Sequence, residues 1–279
     1  MNIYSKWEID RDDPSLKHIW YGILFSIFCL AISGIGLIVD ERTLQFAPIW
    51  LKPLKFSISA MIFLGTIYFI LRFIPHDKWV EITAKVFAIC LSLELVIIFL
   101  QAYRGRMSHF NYQTFEDMIL FQIMALAIIV VWIGFGIYTW KLYRSSHNTI
   151  LFNGLLIGSI ITFLSMPIAF LMPQPNAEQL DYIIKNNSPI GGTIGSHTVN
   201  EKDPSQTYPI TGWAKTGGDL RISHFLSLHS LQVFPLIALI LEFFGIPYSK
   251  SKKILIALGI SYGIFIIVNL IQAMMGIPI

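Results

Sequence analysis

The sequence predicts an all-α fold: a polytopic transmembrane helix bundle of about seven spans, with one long outer loop between spans five and six. Three observations predict it. Of 279 residues, 54% are hydrophobic and 13% charged, about half the charged fraction of a soluble domain, which is roughly 25%. The apolar residues gather in runs of about 20, the length that crosses a hydrocarbon core. Trp20, Trp50, Trp79 and Trp140 fall at or near the ends of those runs, where an aromatic belt places them.

The runs are 19–39, 56–74, 86–103, 118–140, 150–172, 223–244 and 254–275. Within hydrocarbon the backbone must satisfy its own polar groups, so runs of this length are helices. The first follows a polar, acidic stretch containing Glu8, Asp10, Asp12 and Asp13. That stretch lacks the basic n-region and cleavage site of a signal peptide, so the first span is expected to be retained. Residues 1–279 read as a single integral membrane domain. Cys29 and Cys90 both lie inside apolar runs, and no disulfide is expected. The net charge of +3 and the absence of a dense basic block exclude a nucleic-acid partner.

Lys and Arg in short loops set the orientation. Eleven fall on the side of the N-terminus (Lys6, Arg11, Lys17, Arg72, Lys78, Lys85, Lys141, Arg144, Lys250, Lys252 and Lys253). Five fall on the other (Arg42, Lys52, Lys55, Arg104 and Arg106). The expectation is a cell inner (plasma) membrane protein with its N-terminus cytoplasmic and its C-terminus and long loop outside. That loop, 173–222, is rich in Pro and Gly and carries Tyr208 and Trp213. It is expected to be an ordered extramembrane cap with a short helix over 177–187. Gly154 and Gly158 are spaced for a close helix contact.

The informative residues are the polar ones that a membrane makes costly. Glu94 falls near the middle of span three, where an ionisable group usually faces a partner or a cavity. Gln101 lies two turns along the same face and Arg104 one turn further, so the three form a polar stripe toward the outer surface. Lys55 stands at the outer start of span two, either snorkelling to the interface or lining a vestibule. Span six begins after Asp219, a good N-cap, and carries Arg221, His224, His229 and Gln232, with Pro235 placed to open the helix. His224 and His229 are five residues apart, which is not the spacing by which one helix face grips a metal with two imidazoles.

With His109 and His197 they make four outer-side histidines, against His18, His76 and His147 elsewhere. Neutral imidazoles suit a transition metal, and an opposed pair suits haem. Arg104, Arg221 and Lys55 suit an anionic group instead. Asn269, Gln272, Tyr262, Asn153 and Gln122 read as polar contacts between helices.

At these residues a resemblance emerges. Lys-Pro-x-Lys-Phe-x-x-Ser over 52–59, Gln-Ala-x-Arg-Gly-x-x-Ser-His-Phe-Asn over 101–111, Gly-Ser-His-Thr-Val over 195–199 and Gly-Asp-Leu-Arg-x-x-His-Phe-x-x-Leu-His-x-Leu-Gln over 218–232 are all present. The chain resembles a family of uncharacterised bacterial multi-pass membrane proteins over most of spans two to six. The resemblance implies a bacterial inner-membrane protein and carries over no catalytic role.

Three functions compete. In a metal- or haem-binding membrane enzyme or electron-transfer protein, His109, His197, His224 and His229 are ligand candidates. Glu94, Arg104 and Arg221 then take catalytic or anion-holding roles, and Lys55, Gln101, Asn111 and Gln232 support them. In a proton-coupled transporter or channel component, Glu94 carries the proton and the cations draw in a small anionic solute. A scaffold or assembly factor needs no buried carboxylate. Beyond the lipid bilayer, the expected partner is a small anionic or lipid-phase substrate.

Overall fold

The computed structural model describes residues 13–279. Glu8, Asp10, Asp12, Lys6 and Arg11 lie outside the described residues. The helices are α1 (Pro14–Val39), α2 (Leu51–Ile70), α3 (Lys78–Tyr103), α4 (Phe115–Arg144), α5 (Ile150–Ser165), α6 (Ala177–Asn186), α7 (Leu220–Phe243) and α8 (Tyr248–Met274). Two short antiparallel ladders join them, β1 (Thr43–Leu44) with β2 (Ala47–Pro48) and β3 (Thr198–Val199) with β4 (Gly218–Asp219). Every helix except α6 is long and apolar enough to cross a membrane, α2 and α5 with the 3₁₀ turns Leu71–Phe73 and Met166–Leu171 that extend them. The all-α multi-pass architecture is thus present, with all seven predicted runs helical.

Polar residues at the starts of the spans decide where the helices begin. Asp13 accepts from the Ser15 amide, Asp77 from Val80 and Thr149 from Phe152, each satisfying an amide that no helix carbonyl reaches. Asp77 also explains why α3 starts eight residues ahead of the apolar run at Val86. The cap permits two further turns, which carry Lys78, Glu81 and Lys85 before the hydrocarbon-length stretch begins.

The helices group into two compact units. The first comprises the described residues up to Ser108 together with Gln122–His147; the second comprises His109–Phe121 and Asn148–Ile279.

In the first unit α1, α2 and α3 pack on one another. They meet at Gly22, where a Cβ would stand 2.8 Å from Leu64 and 3.3 Å from Ala88. Phe87 packs against Phe63 and Tyr138, with ring centroids 5.7 and 5.2 Å away, and the buried Tyr138 hydroxyl donates to the Val80 carbonyl at 3.0 Å. The α1–α2 connection is fastened by Trp50, whose indole N–H donates to Asp40 at 2.7 Å.

In the second unit α5 lies directly on α7. A Cβ at Gly154 would stand 2.6 Å from the Phe234 carbonyl oxygen, and one at Gly158 2.5 Å from that of Ser230. The spacing that marks Gly154 and Gly158 in the sequence therefore brings two backbones together. Hydroxyls complete the seam: Thr162 Oγ1 lies 2.9 Å from Ser230 Oγ, and Ser230 donates to the Gly158 carbonyl at 3.1 Å. Tyr262 of α8 donates across to the Leu226 carbonyl of α7, and Asn153 to the Tyr248 hydroxyl. Asn269 instead bonds its own helix at Phe265, and Gln272 turns to the Pro278 carbonyl. The Gln272 amide thus serves the end of α8, while that of Asn269 is buried within its own helix.

Polar groups within the segment 173–222 bond one another. Asn176 and Gln179 form a capping box at the start of α6. The Gln179 carboxamide also binds the Gly195 amide and carbonyl at 3.1 and 3.3 Å. Gly218 passes so near the Ala273 carbonyl that a Cβ would stand 2.0 Å from its oxygen.

Candidate functional site

In the first unit the candidate groups stand at one end of the antiparallel pair α2 and α3. Glu94 lies on α3 nine residues before Tyr103, about 14 Å from that end at 1.5 Å per residue. It is 4% exposed, and its Oε2 has no hydrogen-bond partner. Lys52 leans over the Phe56 ring, 5.8 Å from the centroid, and Lys55 follows one turn into α2. Two turns beyond Glu94, the fully buried Gln101 is held at both ends of its amide. It donates to the Met107 carbonyl at 3.2 Å and accepts from Arg104 Nη1 at 2.9 Å. The predicted stripe of Glu94, Gln101 and Arg104 is therefore a set of residues on one helix, joined by hydrogen bonds at its outer two members.

In the second unit the histidines part into two surroundings. His109 and His197 belong to an aromatic chain through Phe110 and Phe121. The His109–Phe121 and Phe110–His197 centroids are 5.9 and 4.8 Å apart. His197 Nδ1 also lies 3.4 Å from the Met172 sulfur. Asn111, fully buried, takes the Gln113 amide on its side chain and bridges to Thr193 through its backbone. Burial pushes the neighbouring Tyr112 phenol up from its ordinary value. His229 stacks on Phe225 at 4.1 Å, next to Trp213, and hydrogen-bonds Gln232. His224 differs from these three, because its Nδ1 is buried without a hydrogen-bond partner. Among the described residues, no three His, Cys, Asp or Glu side chains gather within reach of one metal ion.

Arg221 has a different surrounding from the open anion-binding one the sequence suggests. Its Nε lies 2.9 Å from Asp219 Oδ1, its Nη2 2.5 Å from Asp219 Oδ2, and Nη2 also donates to the Gly212 carbonyl at 2.7 Å. Asp219 in turn caps the Arg221 amide and accepts the Ala214 amide at 2.8 Å. This closed knot ties the cap segment to the start of α7.

No family model, curated protein or solved structure matches the chain.

One residue escapes a reading of the sequence alone. Asp117 is fully buried in the first turn of α4. Its amide N–H donates to the Thr114 hydroxyl oxygen at 3.2 Å, so in sequence it resembles an ordinary first-turn acid. No local signal marks its burial.

Proposed function

We propose that this chain is a bacterial inner-membrane protein that couples a proton carried by Glu94 to the passage of a small anionic solute. Its N-terminus is cytoplasmic and its C-terminus outside. The observation that carries the reading is the setting of Glu94: deep in an apolar span, 4% exposed, with one carboxylate oxygen unpartnered. Leaving a polar group buried without a hydrogen bond costs on the order of 1–3 kcal/mol, and more when it is charged. A carboxyl group in that setting changes charge only together with a cation, a proton or a moving solute. Lys52, Lys55 and Arg104 stand at the end toward which Glu94 is nearer, so an anion arriving there meets positive charge first. The excess of Lys and Arg on the N-terminal side supports the orientation.

The test uses protein reconstituted in vesicles with a pH-sensitive dye sealed inside, driven by inward gradients of chloride, sulfate or phosphate. The expected result is a change of internal pH that Glu94→Gln abolishes, together with an infrared carboxyl band that the same variant removes. An equal signal from Glu94→Gln and the native protein would sink the proton-carrying role.

One observation favours a second reading, a metal- or haem-binding membrane enzyme or electron-transfer protein: the buried, unpartnered Nδ1 of His224. A nitrogen of that kind is available to a ligand only if other groups move to meet it. Elemental analysis and an absorption spectrum of the purified protein decide it. Stoichiometric metal that His224→Ala removes supports the reading, and metal-free protein ends it.

A further inference from the structure

Between α6 and α7 the chain makes a small hairpin, closed by the bridge between Thr207 and Ala214. At its tip the Thr211 amide donates to the Pro209 carbonyl at 2.7 Å. Ile210 is the centre of that three-residue turn, with φ +68° and 83% of its surface exposed. We infer that Ile210 is a membrane anchor, inserting at the headgroup and acyl boundary of the leaflet where α7 begins.

Four observations carry the inference. The first is conformation. A turn of this kind is rare and strained, and a β-branched residue in the left-handed region is an outlier. Gly would sit there without that cost. Strain of this sort persists where the surroundings over-determine it, and here they do. The Tyr208 amide donates to the Trp213 carbonyl at 2.8 Å and the Gly212 amide to the Tyr208 carbonyl at 2.9 Å. Arg221 Nη2 braces the Gly212 carbonyl at 2.7 Å. The fold thus holds an apolar side chain out at a position that suits it poorly.

The second is level. Trp213 meets Phe225 edge-on, with centroids 5.5 Å apart. Phe225 is itself exposed and stands in the second turn of α7, about 7 Å along the axis from Leu220 at 1.5 Å per residue. The Tyr208 hydroxyl donates to the Ile279 carbonyl at 3.0 Å, just past the end of α8. Both helices are long and apolar enough to cross a membrane. The hairpin is therefore tied to two spans at the ends where a bilayer surface falls.

The third is composition. From Pro204 to Ala214 no side chain is charged. Tyr208 and Trp213 are the residue types of an interfacial belt. Lys215 holds its ammonium over the Tyr208 ring, 5.0 Å from the centroid. The flanking acids are engaged, Asp203 with Ser205 and Gln206, and Asp219 with Arg221.

The fourth is the backbone. A loop that enters a membrane surface has to satisfy its own polar groups. The amides of Tyr208, Thr211, Gly212 and Trp213 all find acceptors within the hairpin, and Pro209 has no N–H. That leaves the Ile210 amide to the headgroups. A protein partner would have to reach the tip through the same headgroup layer, which selects lipid as the occupant.

The experiment places a nitroxide at the tip of the full chain in phosphatidylcholine and phosphatidylglycerol vesicles. Ile210→Cys is labelled in a background in which both native cysteines, Cys29 and Cys90, are replaced by Ala. Lys202→Cys, exposed in the same segment, is the comparison. At 210 the label is expected to collide more with dissolved oxygen than with a water-soluble nickel chelate, and at 202 the reverse. A label at 210 that meets the chelate as freely as the one at 202 would overturn the anchor. A label at 210 shielded from both relaxants would also overturn it, because protein then covers the tip.

A second readout keeps the native cysteines and so does not depend on that background. It is hydrogen exchange of residues 207–214 in the same vesicles, native protein against Ile210→Asn. Asn enters the left-handed region more readily than Ile, so a hairpin that stands by itself exchanges more slowly with Asn at its tip. An anchored hairpin loses the transfer of an apolar side chain and is expected to exchange about tenfold faster. Slower or unchanged exchange in Ile210→Asn would refute the inference.

Discussion

Glu94 and Asp219 are both carboxylates left 4% exposed by the fold, yet their surroundings are opposite. Asp219 receives an N–H from Ala214, the Arg221 backbone amide and the Arg221 guanidinium. Every lone pair that burial removes from water is given a donor, and the residue fastens loop to helix. Glu94 has an oxygen with no donor at all. Burial alone therefore does not mark a functional acid; what distinguishes the two is whether the protein has supplied the partners. A satisfied carboxylate holds structure, whereas an unsatisfied one holds a cost that another group can relieve.

The contrast is broken most forcefully at Asp219. Asp219→Ala leaves the Arg221 guanidinium and the Ala214 amide without their acceptor and strips the cap from α7. With the Arg221 side chain 29% exposed, solvent screens part of the lost pairing. The missing cap and unsatisfied Ala214 amide bring the cost to about 2–3 kcal/mol, the largest effect expected of any single side chain discussed. Denaturant titration of detergent-solubilised protein measures it. Arg221→Lys is expected to lose less, because an ammonium keeps the charge but not the two-pronged contact. A fall below about 1 kcal/mol for Asp219→Ala would place the pair among ordinary surface ion pairs.

Glu94→Leu sharpens the comparison from the other side. Replacing a buried, incompletely hydrogen-bonded carboxyl group with an apolar side chain of similar volume is commonly neutral or stabilising. The same titration is therefore expected to show no loss of stability, while the proton-linked signal in vesicles disappears. A destabilisation matching that of Asp219→Ala would make Glu94 a structural residue like Asp219.

These two residues also show how far the sequence could be read. The spans were legible because hydrocarbon thickness and backbone satisfaction act on every residue of a run, and a mean over twenty positions is robust. Glu94 was legible for the same reason, as a single exception to a strong pattern. The Asp219 cap was visible from its position before α7, but its grip on Arg221 was not. Arg221 two residues later reads equally well as an open anion site, and the Ala214 and Gly212 groups that close the knot depend on how the loop folds back. The histidines illustrate the same limit. Side of the membrane can be counted from the sequence, but the ring that each imidazole meets, Phe121, Phe110 or Phe225, is set by tertiary packing.

Asp40 offers a third carboxylate that tests the rule at the surface, with the smallest effect. The Arg42 guanidinium bonds its Oδ1 at 2.9 Å and its Oδ2 at 2.7 Å, and the Trp50 indole bonds Oδ2 at 2.7 Å. Hydrogen bonds from Arg42 first, then from Trp50, hold its carboxyl well below the usual carboxylate range. A carboxyl group lowered on folding stabilises the folded state in full above its unfolded value, about 3.9, and progressively less as the pH falls from there toward its folded value. The α1–α2 connection is thus expected to be indifferent to pH near neutrality and to loosen only in acid below about pH 4. The chain has seven tryptophans, so the fluorescence that Trp50→Phe removes is the report, because the indole that senses the change is itself a donor to Asp40. In Asp40→Asn the acid-dependent change should vanish, with little loss of stability at neutral pH because the pair is half open to water. An acid transition that survives in Asp40→Asn would have to originate in another carboxylate of the first unit, and Asp77, held low by Lys141, would be the next to replace.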